Sequence, residues 1–100
     1  MPDVTIVYWR DIPAQVIVGR GRAAAKVQLP ERFEQAIDRA AMKVGAADTD
    51  AYLAQWRRAP GEARDGTPEE AAAAAATALD AHFDQARLKA LIDNNGWAPA

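Results

Sequence analysis

Cysteine is missing from the 100 residues altogether. Its absence removes disulfides, thiolate nucleophiles and zinc–sulfur centres together, and it fits a cytosolic protein. Histidine occurs once, as His82. A metal site needs several converging ligands, so no metal is expected. No apolar run approaches the roughly 20 residues that cross a bilayer. The chain passes from Met1-Pro2-Asp3 straight into a short β-like run, with no basic segment followed by an apolar signal core. The expectation is a cytoplasmic location with no membrane association. A dominant basic charge is lacking too. Net charge is −2: residues 1–60 hold nine Lys/Arg against seven acids, and residues 61–100 hold three against seven. A dedicated nucleic-acid binder carries a larger basic footprint.

What remains is ordinary globular material. Half the residues are hydrophobic and 26% are charged. One hundred residues imply a single domain able to fold without covalent staples. Residues 3–94 are its expected core and 95–100 its tail.

The densest β-branched and aromatic stretch is TIVYWRDIPAQVIV, residues 5–18. It predicts a hairpin. Val4, Ile6 and Tyr8 point one way; Thr5, Val7 and Trp9 point the other. The turn is expected at residues 11–13, because Pro13 cannot donate to a ladder. Residues 23–29 are ambiguous, with a short extended approach at 26–29. Pro30 suits a first helical position. Phe33, Ala36, Ile37, Ala40, Ala41 and Val44 then repeat at three- and four-residue spacing, a helix face that Gly45 ends. Residues 50–58, DAYLAQWRR, are helical in composition yet alternate at Tyr52, Ala54 and Trp56. A strand is expected here, because a two-stranded hairpin alone is marginal and a third strand would complete the sheet. Such a crossover is right-handed if the strands are parallel. Thr67-Pro68-Glu69-Glu70 is a capping-box helix start, and an unbroken alanine run follows. Continued to Asp93, that helix would be about 40 Å long, so a break is expected near Asp84. Leu88, Leu91 and Ile92 form the next apolar face, and Asn94-Asn95-Gly96 ends it. The fold class is α+β: a two-layer sandwich, a small sheet covered by helices, in the order β-β-α-β-α-α.

Each candidate site carries a structural alternative. Gly19-Arg20-Gly21-Arg22-Ala23-Ala24 follows a strand as G-x-G-x-x-A, but Pro30 interrupts the next segment and no Rossmann unit follows. Arg20 and Arg22, with Lys26, remain candidates for holding an anion; a solvated strand end is the alternative. His82 has Asp80 and Asp84 nearby but no recognisable catalytic partner. Asp48 and Asp50 flank Thr49 as caps or turn residues rather than a carboxylate pair. No catalytic residue and no cofactor site emerges. The most informative set is Trp9, Arg10, Trp56 and Arg57, with Arg58 beside them. Tryptophan next to arginine is enriched at binding hot spots and also stacks single-stranded nucleic acid. If residues 50–58 pair with the first strand, the two Trp-Arg pairs lie close together. The alternative is that the tryptophans are core and the arginines solvated ends.

The segments VTIVYWRDIPAQVIVG, LPERFEQAID, DAYLAQWRR and ARLKALI together resemble the small bacterial domain named "virulence factor", found also in conserved virulence factor C-like proteins. The name describes a phenotype and not a reaction, so the resemblance carries no catalytic residue. It implies an accessory role beside corrinoid- and folate-dependent one-carbon methyl transfer, with methyltransferase subunits as candidate partners. The leading expectation is a non-enzymatic interaction protein with a partner-binding edge at Trp9, Arg10, Trp56 and Arg57. The alternative is a ligand-binding or enzymatic component of one-carbon methyl transfer, for which Arg20, Arg22 or His82 would line a pocket. Single-strand nucleic-acid binding is a third and weaker expectation.

Overall fold

The computed structural model describes residues 3–19, 24–46, 50–61 and 65–98. The first strands are β1 (Val4–Trp9) and β2 (Ile12–Val18), followed by a short β3 (Ala25–Gln28). Helix α1 (Glu31–Lys43) and a five-residue helix α2 (Asp50–Ala54) lead to strand β4 (Trp56–Pro60). Helices α3 (Pro68–His82) and α4 (Gln85–Asp93) complete the chain. The sheet is fully antiparallel in the order β3-β2-β1-β4. The α+β architecture and its order therefore stand, with β3 and α2 added to them.

Three local expectations are corrected. The hairpin turns at Arg10-Asp11, with Arg10 in the left-handed region at φ 55°. Pro13 lies inside β2, wholly buried, opposite Tyr8. A bulge accommodates it: Val7 faces Gln15 and Tyr8 faces Pro13, so Ala14 is the extra residue. The Ala14 carbonyl accepts instead from the Leu29 N–H, at 3.1 Å. Residues 50–58 are divided rather than all strand. Helical composition wins over residues 50–54, and alternation wins from Trp56, where β1 offers a ladder. β4 runs antiparallel to β1, so the handedness expected of a parallel crossover does not apply. Pro30 precedes α1 as its N-cap residue rather than filling the first helical position.

The core follows the predicted periodicities. Val4, Ile6, Val16 and Val18 are buried on one sheet face, while Thr5, Val7, Gln15 and Ile17 alternate with them half-buried. Helix α1 contributes Phe33, Ala36, Ile37, Ala40 and Ala41. Its end is a Schellman turn: the Ala46 N–H reaches the Ala41 carbonyl and the Gly45 N–H the Met42 carbonyl, with Gly45 at φ 71°. Helix α3 starts with both halves of the expected capping box between Thr67 and Glu70. Its alanines Ala71, Ala72, Ala75 and Ala76 let it lie close over β2 and β3, while it meets β1 only marginally. The expected break comes at Phe83, and Asp84 caps α4 through the Arg87 N–H at 2.8 Å. Among the described residues, no helix is long and apolar enough to cross a membrane.

Candidate functional site

The two Trp-Arg pairs meet on neighbouring strands. Trp9 pairs with Trp56 in the β1–β4 register, and Tyr8 pairs with Arg57. Their side chains then diverge. Trp9 is wholly buried; its indole N–H donates to the Tyr52 carbonyl at 2.9 Å. It offers no surface to a partner. Trp56 is half-buried and packs edge-to-face on Tyr52, with centroids 5.9 Å apart. Arg10 is held between two indoles, 5.0 Å from Trp9 and 5.2 Å from Trp97. It donates to the Asn95 carbonyl at 2.6 Å, and its Nε is buried with no hydrogen-bond partner among the described residues. Arg57 is exposed. Its guanidinium sits 4.5 Å over the Tyr8 ring, donates through Nε to the Arg10 carbonyl and pairs with Asp11 Oδ1, both at 2.9 Å.

The segment after α4, expected as a tail, is fastened to this turn through residue 98. Asn95 at φ 63° and Gly96 form a second Schellman turn, with the Gly96 N–H on the Leu91 carbonyl and the Asn95 N–H on the Ile92 carbonyl. Gly96 then accepts from the Asp11 N–H at 2.8 Å, and the Ala98 N–H donates to Asp11 Oδ2 at 2.6 Å. Asp11 thus joins the hairpin turn, β4 and the chain's last described residues.

Because α3 covers β2 and β3, the inner face of β1 and β4 is left with a gap. Two concavities of about 560 Å³ each occupy it, and Tyr8 lines both. One is mainly apolar, between Ile6 and Pro60 on the sheet and Ala78 and Leu79 on α3; His82 sits at its border. The other lies against α4, with Ala59, Phe83 and Leu91 as its apolar lining and Asp11, Arg57 and Arg87 as its charged groups. Arg87 stacks 5.0 Å over the Phe83 ring. Burial raises the Tyr8 phenol above its usual range, Arg57 works in the opposite direction and Asp11 adds to the rise. Tyr8 therefore stays a neutral hydroxyl at neutral pH.

Other expected positions stand apart from this gap or outside the description. Arg20, Arg22 and Asp48 lie outside the described residues. Lys26 is exposed on β3, and Asp50 begins α2. Among the described residues, no group of three or more His, Asp or Glu converges as a metal site. Sequence reasoning missed Tyr8, Asp11 and Arg87. Arg87 was the least legible, because its significance comes from the α3–α4 break that sets it over Phe83.

A family model described as "Virulence factor" matches residues 7–92. The chain belongs to that family. No curated protein and no solved structure matches it.

Proposed function

We propose, taking membership of the virulence factor family as the premise, that this protein is a non-enzymatic accessory module that holds a segment of a partner protein. The observation that carries the reading is the half-covered sheet: Tyr8, Ala59 and Leu79 are only half-buried and line a gap beside the exposed Arg57. An apolar depression rimmed by charge is the ordinary form of a docking surface. Arg57 is the member of the expected edge that a partner in this gap would meet; Trp56 faces the other side of the sheet, beside Tyr52 and Ile37. Trp9 and Arg10 hold that edge in place from beneath. The resemblance to domains beside one-carbon methyl-transfer genes nominates methyltransferase subunits as the partner.

A second reading has one observation in its favour. The concavity against α4 gathers the Tyr8 hydroxyl, Arg57 and Arg87 over an apolar lining, which suits a small ligand of corrinoid- or folate-linked methyl transfer as well as a peptide. Affinity capture from the native host separates the two. Wild-type protein, Arg57→Gln and Ala78→Trp are compared, both substitutions at exposed positions lining the gap, with bound proteins and small molecules identified by mass spectrometry. A partner lost from both variants while their melting temperatures hold supports docking. A small molecule recovered with no protein supports the ligand-binding reading.

A further inference from the structure

The concavity against α4 has one uncommitted charge. Both oxygens of Asp11 are taken, Oδ1 by Arg57 and Oδ2 by the Ala98 N–H. Arg57 is fixed in turn by Asp11, the Arg10 carbonyl and the Tyr8 ring. Arg87 differs. Among the described residues it has no carboxylate within salt-bridge distance, and its guanidinium is oriented only by the Phe83 ring. A guanidinium stacked on an aromatic ring keeps its donor edge free for a carboxylate fork. The Tyr8 hydroxyl, in the same lining, makes no hydrogen bond among the described residues and is a neutral donor. Ala59, Phe83 and Leu91 supply an apolar lining beside these donors. The gap is therefore cationic at its free positions on a chain of net charge −2.

Building on the docking reading, we infer that the concavity between β4 and α4 selects an acidic partner segment: an apolar side chain seats over Ala59, Phe83 and Leu91, and a neighbouring Asp or Glu carboxylate takes the free donors of Arg87 and the Tyr8 hydroxyl. A second copy of this chain is the wrong occupant for the adjoining edge. Antiparallel pairing of β4 with another β4 would set the exposed Arg57 and Arg58 of one copy against those of the other, and Pro60 removes a donor from the ladder. The complementary partner carries negative charge.

The test is selection from a random peptide library against the full chain, followed by calorimetry on a synthetic consensus peptide. The expected binders pair a hydrophobic residue with Asp or Glu. Replacing that acid by its amide should weaken binding about tenfold, the scale of one charge-assisted hydrogen-bonded pair. Arg87→Gln should weaken the acidic peptide by the same factor and leave the amide peptide unchanged, while Arg87→Lys restores part of the loss. Arg87 is exposed, so the Arg87→Gln melting temperature should match the wild type. Binders with no acidic preference, or an amide peptide that binds equally well, overturn this inference and leave the docking reading standing. A library that yields no binder overturns both. Phenylpropionate binding as tightly as the peptide overturns the assignment to a partner segment and gives the seat to a free carboxylic acid.

Discussion

Trp9-Arg10 and Trp56-Arg57 are the same dipeptide, on neighbouring strands, with tryptophan opposite tryptophan. Trp9 belongs to a strand flanked by β2 on one side and β4 on the other; it is wholly buried, and its N–H is satisfied by Tyr52. Trp56 belongs to an edge strand and stays half-buried. The arginines differ in the same sense. Arg10 occupies a left-handed turn position between two indoles, whereas Arg57 lies exposed across the Tyr8 ring. The dipeptide encodes neither outcome. What packs over each pair decides burial: Tyr52, Gly96 and Arg10 lie against Trp9, whereas the edge position of β4 leaves Arg57 exposed.

The largest test of that contrast is Trp9→Ala. Truncating a fully buried tryptophan should cost about 3–5 kcal/mol in urea unfolding. Trp56→Ala should cost less than about 2 kcal/mol, in proportion to its partial burial. Equal costs would break the contrast and return Trp56 to the core.

Gly96 sharpens the same contrast one step further out. It sits at φ 90°, and an added Cβ would come within 3.0 Å of Trp9 Cζ3 and 3.1 Å of Arg10 Cδ. Gly96→Ala should destabilise by about 1–3 kcal/mol, combining left-handed strain with the clash. Gly45 is a matched control: φ 71°, with nothing within 4 Å of its built Cβ. Gly45→Ala should cost about 1 kcal/mol from backbone conformation alone. The difference between the two measures how tightly the segment after α4 is packed on Trp9. No difference would mean that it is not packed there.

The parts of the fold readable from the sequence are those whose signals are local. The hairpin strands, the apolar face of α1, the Thr67–Glu70 capping box, the Asp84 cap and the Asn94-Asn95-Gly96 stop each depend on residues within a few positions of one another. The misreadings share a different cause. Pro13 marks a turn by its own chemistry, but the bulge at Ala14 accommodates it within the strand. Residues 50–58 satisfy two periods at once, and only the β1 edge, remote in sequence, decides where one yields to the other. The four-residue β3 is too short to show a period. That the two Trp-Arg pairs would meet if residues 50–58 joined the first strand was legible; that one tryptophan would be sealed and the other left at the edge was not. The gap beneath β1 and β4 was also illegible, because it exists only where α3 fails to reach.

Asp11 offers a smaller test. Asp11→Asn weakens the Arg57 pair and keeps an oxygen that can still accept from the Ala98 N–H. With both partners partly exposed, the loss should be about 0.2–1 kcal/mol. It should shrink further at high salt, since screening already weakens such pairs. A loss that does not respond to salt would assign Asp11's contribution to its hydrogen bonds and not to its charge.

Tyr8 gives the smallest effect at neutral pH and the most specific one in alkali. Its folded pKa lies above the unperturbed 10.0, chiefly through burial. Below pH 10 the phenol is neutral in both folded and unfolded chains, so its contribution to stability is fully present. As pH rises past the unfolded value, the unfolded chain loses the proton first and stability falls until the folded pKa is passed. Tyr8→Phe should leave neutral-pH stability nearly unchanged and flatten the decline above pH 10. Phenolate absorbance should show Tyr8 titrating above 10 in the folded chain. Arg57→Gln should move that titration higher still, because the guanidinium over the ring is the one group holding it down. If removing Arg57 moves the titration downward, opening Tyr8 to water outweighs the lost charge. Arg57 would then act as the cover of the groove and not as its charged rim, and the edge pair would resemble the buried pair more closely than its exposure suggests.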